Sequence, residues 1–104
     1  MTAQGRYVAA LTYYAAELIP VEGADLTPDL LAKHAEHLRE LDGDGKLIMA
    51  GPFTDDPRGL LVLNCADAGA ATAILDVDPL VVAGVRTYRV HSWLIANADN
   101  GYTP

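Results

Sequence analysis

Hydrophobic and polar positions along the chain fall into periodic stretches separated by turn-forming residues. Arg6 to Ala16 is rich in Tyr, Val, Leu and Thr and predicts a first strand. The next stretch, ELIPVEGADLTPD at 17–29, holds Pro20, Gly23 and Pro28 and reads as a long loop. Thr27 before Pro28 fits a helix N-cap followed by proline at the first helical position. A helix is expected from Pro28 to Leu41, where Leu30, Leu31, Ala35, Leu38 and Leu41 share one arc and Gly43 and Gly45 end it. Lys46 to Phe53 predicts a second strand, closed by Pro52 and the turn TDDPRG, and GLLVLNCA (59–66) a third. Asp67 is placed to cap a second helix from Ala68 to Leu75. The DVDP stretch breaks that helix, and Leu80 to Ala83 forms one extra turn. Val85 to Ala96 predicts a long fourth strand, with Arg86, Tyr88, Val90, Ser92 and Leu94 on one face and Val85, Thr87, Arg89, His91, Trp93 and Ile95 on the other. The end, NADNGYTP (97–104), carries no such pattern and reads as a mobile tail.

The order β-α-β-β-α-β predicts an α+β, ferredoxin-like domain over 1–104: one four-stranded antiparallel sheet with two helices on one face. Large residues are expected on both faces of this sheet, and a large apolar face is rarely left in water. Face-to-face pairing of two copies would cover it. A homodimer closing a barrel, with a cavity between sheet and helices, is therefore the expected assembly.

Composition narrows the function classes. The 104 residues are 51% hydrophobic, enough for a core without metals or disulfides. Fourteen acidic residues against seven basic give a net charge of −7, which disfavours nucleic acid and anionic membrane surfaces as partners. Cys65 is the single cysteine; with no partner and apolar neighbours it reads as a reduced core residue. No apolar run approaches the roughly 18 residues of a membrane span, and the start reads as a strand and not a signal peptide. A cytoplasmic protein is expected. GxSxG, P-loop and GxGxxG patterns are absent, so serine-nucleophile, nucleotide and dinucleotide chemistry find no support, and nothing in the sequence calls for a cofactor.

The candidate chemistry lies in HAEHLRELDGDGKLIMAGPF, residues 34–53. By helical projection His34 falls inside the apolar arc, about 40° from Leu38 and about 20° from Leu41. A titratable ring in that position needs a partner, which the helix pattern leaves open between a backbone carbonyl and a functional group. His37 lies at the edge of the arc and reads as a solvated residue. The two histidines one turn apart raise a metal site, but metal pairs on helices favour i, i+4 spacing and no third ligand stands nearby, so none is expected. His91 reads as an ordinary sheet residue. Asp78 before Pro79, like Asp76, reads locally as a helix stop. Gly51 and Pro52 end a strand; the glycine there either terminates it or lets a ligand approach the backbone.

His34, Leu38 to Leu41, Gly45 to Leu47 and Ala50 to Phe53 together resemble the signature of the YCII-related (YciI-like) family. Asp78 to Val85, DPLVVAGV, matches that family's second signature. The resemblance covers roughly Leu31 to Trp93 and implies a branch of the dimeric α+β barrel superfamily. Its helix histidine stands eleven residues before the glycine of G-[KR]-L, which selects His34 over His37. Its aspartate before proline corresponds to Asp78. The resemblance thus implies a His34–Asp78 dyad, in which the carboxylate fixes the tautomer of the imidazole and favours its cation. It also implies proton-transfer chemistry of lyase or isomerase type on a small cyclic or aromatic molecule. Two departures from the family pattern, the long loop at 17–29 and Ala35 in place of leucine, are positioned to reshape the cavity.

The expected protein is a small homodimeric enzyme without cofactor. His34 and Asp78 are its catalytic pair, Gly51 and Pro52 shape the wall, and Tyr14 and Ser92 supply hydrogen bonds to the substrate. The alternative is a non-catalytic protein of the same fold that binds a small molecule or acts as an accessory. The dyad requires His34 and Asp78 side chains about 2.6–3.2 Å apart.

Overall fold

The computed structural model describes residues 12–104. Its elements are β1 (Thr12–Pro20), α1 (Pro28–Gly43), β2 (Leu47–Pro52), β3 (Gly59–Leu63), α2 (Ala68–Asp76), α3 (Pro79–Val82) and β4 (Arg86–Leu94), followed by a 3-10 turn at Ala98–Asn100. The strands form one antiparallel sheet in the order β2-β3-β1-β4. This is the ferredoxin-like α+β arrangement that the order of elements predicts. The expected first strand begins at Arg6, and its part before Thr12 lies outside the described residues. Among the described residues, no helix is long and apolar enough to cross a membrane.

The largest departure from the pattern reading is at 17–29. β1 does not stop at Ala16 but runs to Pro20, paired with β4 along its whole length and with β3 as far as Leu18. The apolar alternation continues through Ala16 and Leu18, both buried, and Pro20 is tolerated because it is the last residue of the strand. The true connection to α1 is therefore short.

The helices begin and end as their sequences dictate. The Thr27 side chain accepts from the Leu30 amide at 3.2 Å, and Asp67 accepts from the Ala70 amide at 2.8 Å, so both caps are as expected. α1 runs two residues past Leu41 and closes with Gly45 at φ 74°, the Lys46 amide donating to the Leu41 carbonyl at 2.8 Å. α3 closes the same way: Gly84 has φ 75° and the Val85 amide donates to the Leu80 carbonyl at 3.0 Å. Both are Schellman closures, which need a residue free to adopt the left-handed conformation. Val85 thus belongs to a helix exit and not to the fourth strand.

Leu18, Leu61 and Leu63 from the sheet, Leu41 from α1, Ala71, Ile74 and Leu75 from α2, and Leu80 from α3 form the buried core on one face of the sheet. Alternation puts Ala15 and Val62 on the opposite face. There Met49, Val62, Ala15 and His91 form a row across the four strands, and Tyr13 pairs with Trp93. Ala15 and Val62 are buried, whereas Met49 is 65% exposed and Trp93 46%.

Leu63 is fully enclosed at the centre of the core. Leu63→Ala should lower stability by about 2–5 kcal/mol through the lost contacts and the cavity left behind. Thr27→Ala should cost about 1 kcal/mol through the lost cap. Urea denaturation checks both as shifts of midpoint at an unchanged slope.

Candidate functional site

A cavity of about 200 Å³ lies between α1 and the end of the sheet. Leu31, His34 and Leu38 line it from the helix, Leu18 and Leu61 from the sheet, and Leu80 from α3. Its rim is made by Ala50 to Pro52, by Pro57 to Leu60, and by Arg86 at the start of β4. The walls are largely apolar, and Leu31, 47% exposed, stands towards solvent. An engineered cavity of about 150 Å³ holds benzene, so this volume suits a one-ring molecule.

His34 reaches the cavity because α1 turns its apolar arc to the sheet. The Nδ1 atom of His34 lies 2.9 Å from Oδ2 and 3.1 Å from Oδ1 of Asp78. Both distances fall in the range the pair requires. The partner is thus a carboxylate, not the backbone carbonyl that the helix pattern left open. Asp78 is fully buried, and its Oδ1 also accepts from the Leu80 amide at 2.9 Å, capping α3. A carboxylate facing Nδ1 makes that nitrogen the donor, and in the neutral ring the lone pair is then on Nε2. The His34 side chain is 14% exposed and lines the cavity.

Gly51 and Pro52 line the cavity rim. No protein atom lies within 4 Å of where a Cβ on Gly51 would stand, so packing does not demand glycine there. Tyr14 and Ser92 stand opposite each other on β1 and β4, and neither lines this cavity. His37 is not a solvated edge residue: it is half-buried, and its Nε2 is shut off from solvent without a hydrogen-bond partner among the described residues. His91 is exposed, with Nε2 3.6 Å from Glu17 Oε1. Among the described residues, no group of three or more His, Cys, Asp and Glu side chains is placed to hold a metal ion.

The polar groups that pattern reading passes over are Arg58 and Arg86, the two cations on the cavity rim. Arg58 is clamped. Its Nε and Nη2 donate to the two Asp56 carboxylate oxygens, each at 2.8 Å, and its Nη1 lies 3.7 Å from Glu17. The hydrogen bonds from Arg58 hold the Asp56 carboxyl at about 2, below its usual 3.8, while Arg58 is pushed up by the same bonds. A depressed carboxyl contributes stability above its unfolded value and loses it as pH falls towards 2. The clamp is therefore intact around neutral pH. The alternation of β4 does put Arg86 on the cavity side, but periodicity alone does not show that the helices leave space there.

A buried acid thus stands behind a histidine on the wall of a cavity, in a ferredoxin-like α+β fold. The chain belongs to the YCII-related domain family, whose match spans residues 6–94. It is 33% identical over 63 residues to the uncharacterized protein YjpA of Bacillus subtilis (strain 168), covering 61% of this chain and 74% of that protein. In structure it is similar to the 5-chloro-2-hydroxyhydroquinone dehydrochlorinase TftG of Burkholderia phenoliruptrix AC1100, solved in complex with 2,5-dihydroxybenzoquinone. The TM-score is 0.57 at 18% identity, over 78% of this chain and 92% of that one. That likeness is one of fold.

Asp78 serves two donors at once, and substitution separates what each requires. Asp78→Ala should strand both the Leu80 amide and His34 Nδ1, at about 1–3 kcal/mol for each orphaned donor. Asp78→Asn keeps an acceptor and should cost distinctly less. Chemical denaturation of the two variants side by side measures the difference.

Proposed function

We propose that the protein is an enzyme of lyase or isomerase type that moves a proton on a small cyclic or aromatic molecule, with His34 as general acid-base and Asp78 as its orienting partner. The observation that carries this reading is the His34–Asp78 hydrogen bond on the wall of a cavity of one-ring size. The dehydrochlorinase of similar fold, whose name and ligand describe one-ring compounds, supports the substrate class.

The chemistry follows from the arrangement. Nε2 of His34 takes a proton from an acidic C–H or O–H of the bound ring, and Asp78 stabilises the imidazolium that forms. In an elimination, the electron pair freed from the C–H bond forms the new double bond and the leaving group departs with its own pair. In an isomerisation, the same Nε2 returns the proton to a second carbon. The apolar walls exclude water from the ring while the proton is held. Gly51 and Pro52 bound the ring at the rim.

Single-ring hydroxylated aromatics, with 5-chloro-2-hydroxyhydroquinone among them, provide the test: incubation in D2O, followed by NMR for exchange or elimination. The wild type should turn over at least one of them. His34→Gln should lower the rate about 10²–10⁴-fold with its melting temperature held within a few degrees. Binding without exchange or turnover across the panel would instead identify a non-catalytic binding protein. Unfolding of His34→Gln would mark the histidine as chiefly structural.

The same reading includes a homodimer. Support comes from the open sheet face, where Met49 and Trp93 stand exposed around buried Val62 and Ala15. A second copy of that face covers it most simply, since strands of like pattern meet like pattern. Trp93→Glu should then shift the protein to monomer in sedimentation velocity runs; an already monomeric wild type would sink the dimer.

A further inference from the structure

We propose that Arg86 is the specificity-determining residue of this cavity and that it selects ring compounds bearing a carboxylate. The proposal deepens the proton-transfer reading above and rests on it.

Two cations reach the cavity rim, and their surroundings differ. Arg58 spends Nε and Nη2 on Asp56 and leans on Glu17, so its charge is answered within the protein. Arg86 makes no ion pair with any carboxylate among the described residues; its one hydrogen bond runs from Nη1 to the Val85 carbonyl at 2.8 Å. That bond holds the group in place while using one of five guanidinium N–H donors. By strand alternation Arg86 shares the face of Tyr88 and Val90, which pack against the core, and it lines the same cavity as His34. The other described cations on the helices, Lys33 and Arg39, pair with acids one turn away on the outer face of α1.

An unanswered cation beside an apolar cavity is a feature that a neutral ligand does not need. The chain carries a net charge of −7, so an anionic molecule is repelled by the protein as a whole and needs a local positive group to bind. A guanidinium fork suits a planar two-oxygen group, which it can hold with two parallel N–H donors. With the anionic group on Arg86, the ring lies over the apolar walls and one edge comes within reach of His34. Arg86 then positions the ring, and His34 moves the proton.

The test compares benzoate with benzamide, two ligands of the same shape and different charge, by calorimetry at low salt. Wild-type protein should bind benzoate about ten- to a hundred-fold more tightly. Arg86→Gln should erase that preference, leaving the two ligands alike, and Arg86→Lys should restore part of it. His34→Gln should keep the preference, because the proton-transfer group is not the anion reader, and Arg58→Gln should keep it too. The proposal is overturned if the wild type binds neither probe or does not discriminate between them. It is equally overturned if Arg86→Gln stays folded with the preference intact, or if Arg58→Gln is the variant that loses it. These readouts involve no turnover, so a failed acid-base assay and a failed anion preference are told apart.

Discussion

The structure turns on a buried acid. Asp78 has no contact with water, and a lone carboxylate in that position would be prohibitively costly. It is tolerated because two donors meet it: the Leu80 amide from its own helix start and the His34 ring from the middle of α1. The four-residue α3 is thus set against α1, and the imidazole is fixed in one orientation. Remove the requirement to satisfy this carboxylate and neither the seat of α3 nor the aim of the histidine is defined.

Around that acid the polar groups of the cavity are few. Apolar residues from both layers make the walls, His34 lines them with its Nδ1 held by Asp78, and the two arginines at the rim differ in their partners. Arg58 is neutralised by Asp56 and Glu17, and so serves the connection between β2 and β3. Membership of the YCII-related domain family agrees with the fold.

Much of the fold is legible in the chain because its signals are local. Thr27-Pro28, Asp67 and Gly45 mark helix ends by backbone chemistry, and the structure uses each as such. Pro20 misleads because proline is read as a breaker, whereas the last residue of a strand needs no further donor. The site is legible only in part. Asp78 looks like a helix stop, and it is one; that it also faces His34, 44 positions earlier, follows from tertiary packing that no local pattern carries. The family resemblance supplied the pairing. Arg86 is similar: strand alternation gives its face, but not the gap between that face and the helices. The enclosure of His37 Nε2 is not legible either, because a position at the edge of a helical arc does not reveal what packs over it.

The central strand β1 is hydrogen-bonded on one side to β3 and on the other to β4, the last of the described strands. Nine register pairs join Thr12–Pro20 to Arg86–Leu94, so the longest ladder in the sheet links segments more than sixty residues apart in sequence. Loop-closure entropy must be met before that ladder returns any energy, which slows folding relative to a helical bundle of the same size. During synthesis β1 is exported long before its partner exists, and one edge of it stays unpaired until β4 has left the ribosome. The sheet therefore closes after translation has passed Leu94, and the interval before closure is when this chain is most open to pairing with another.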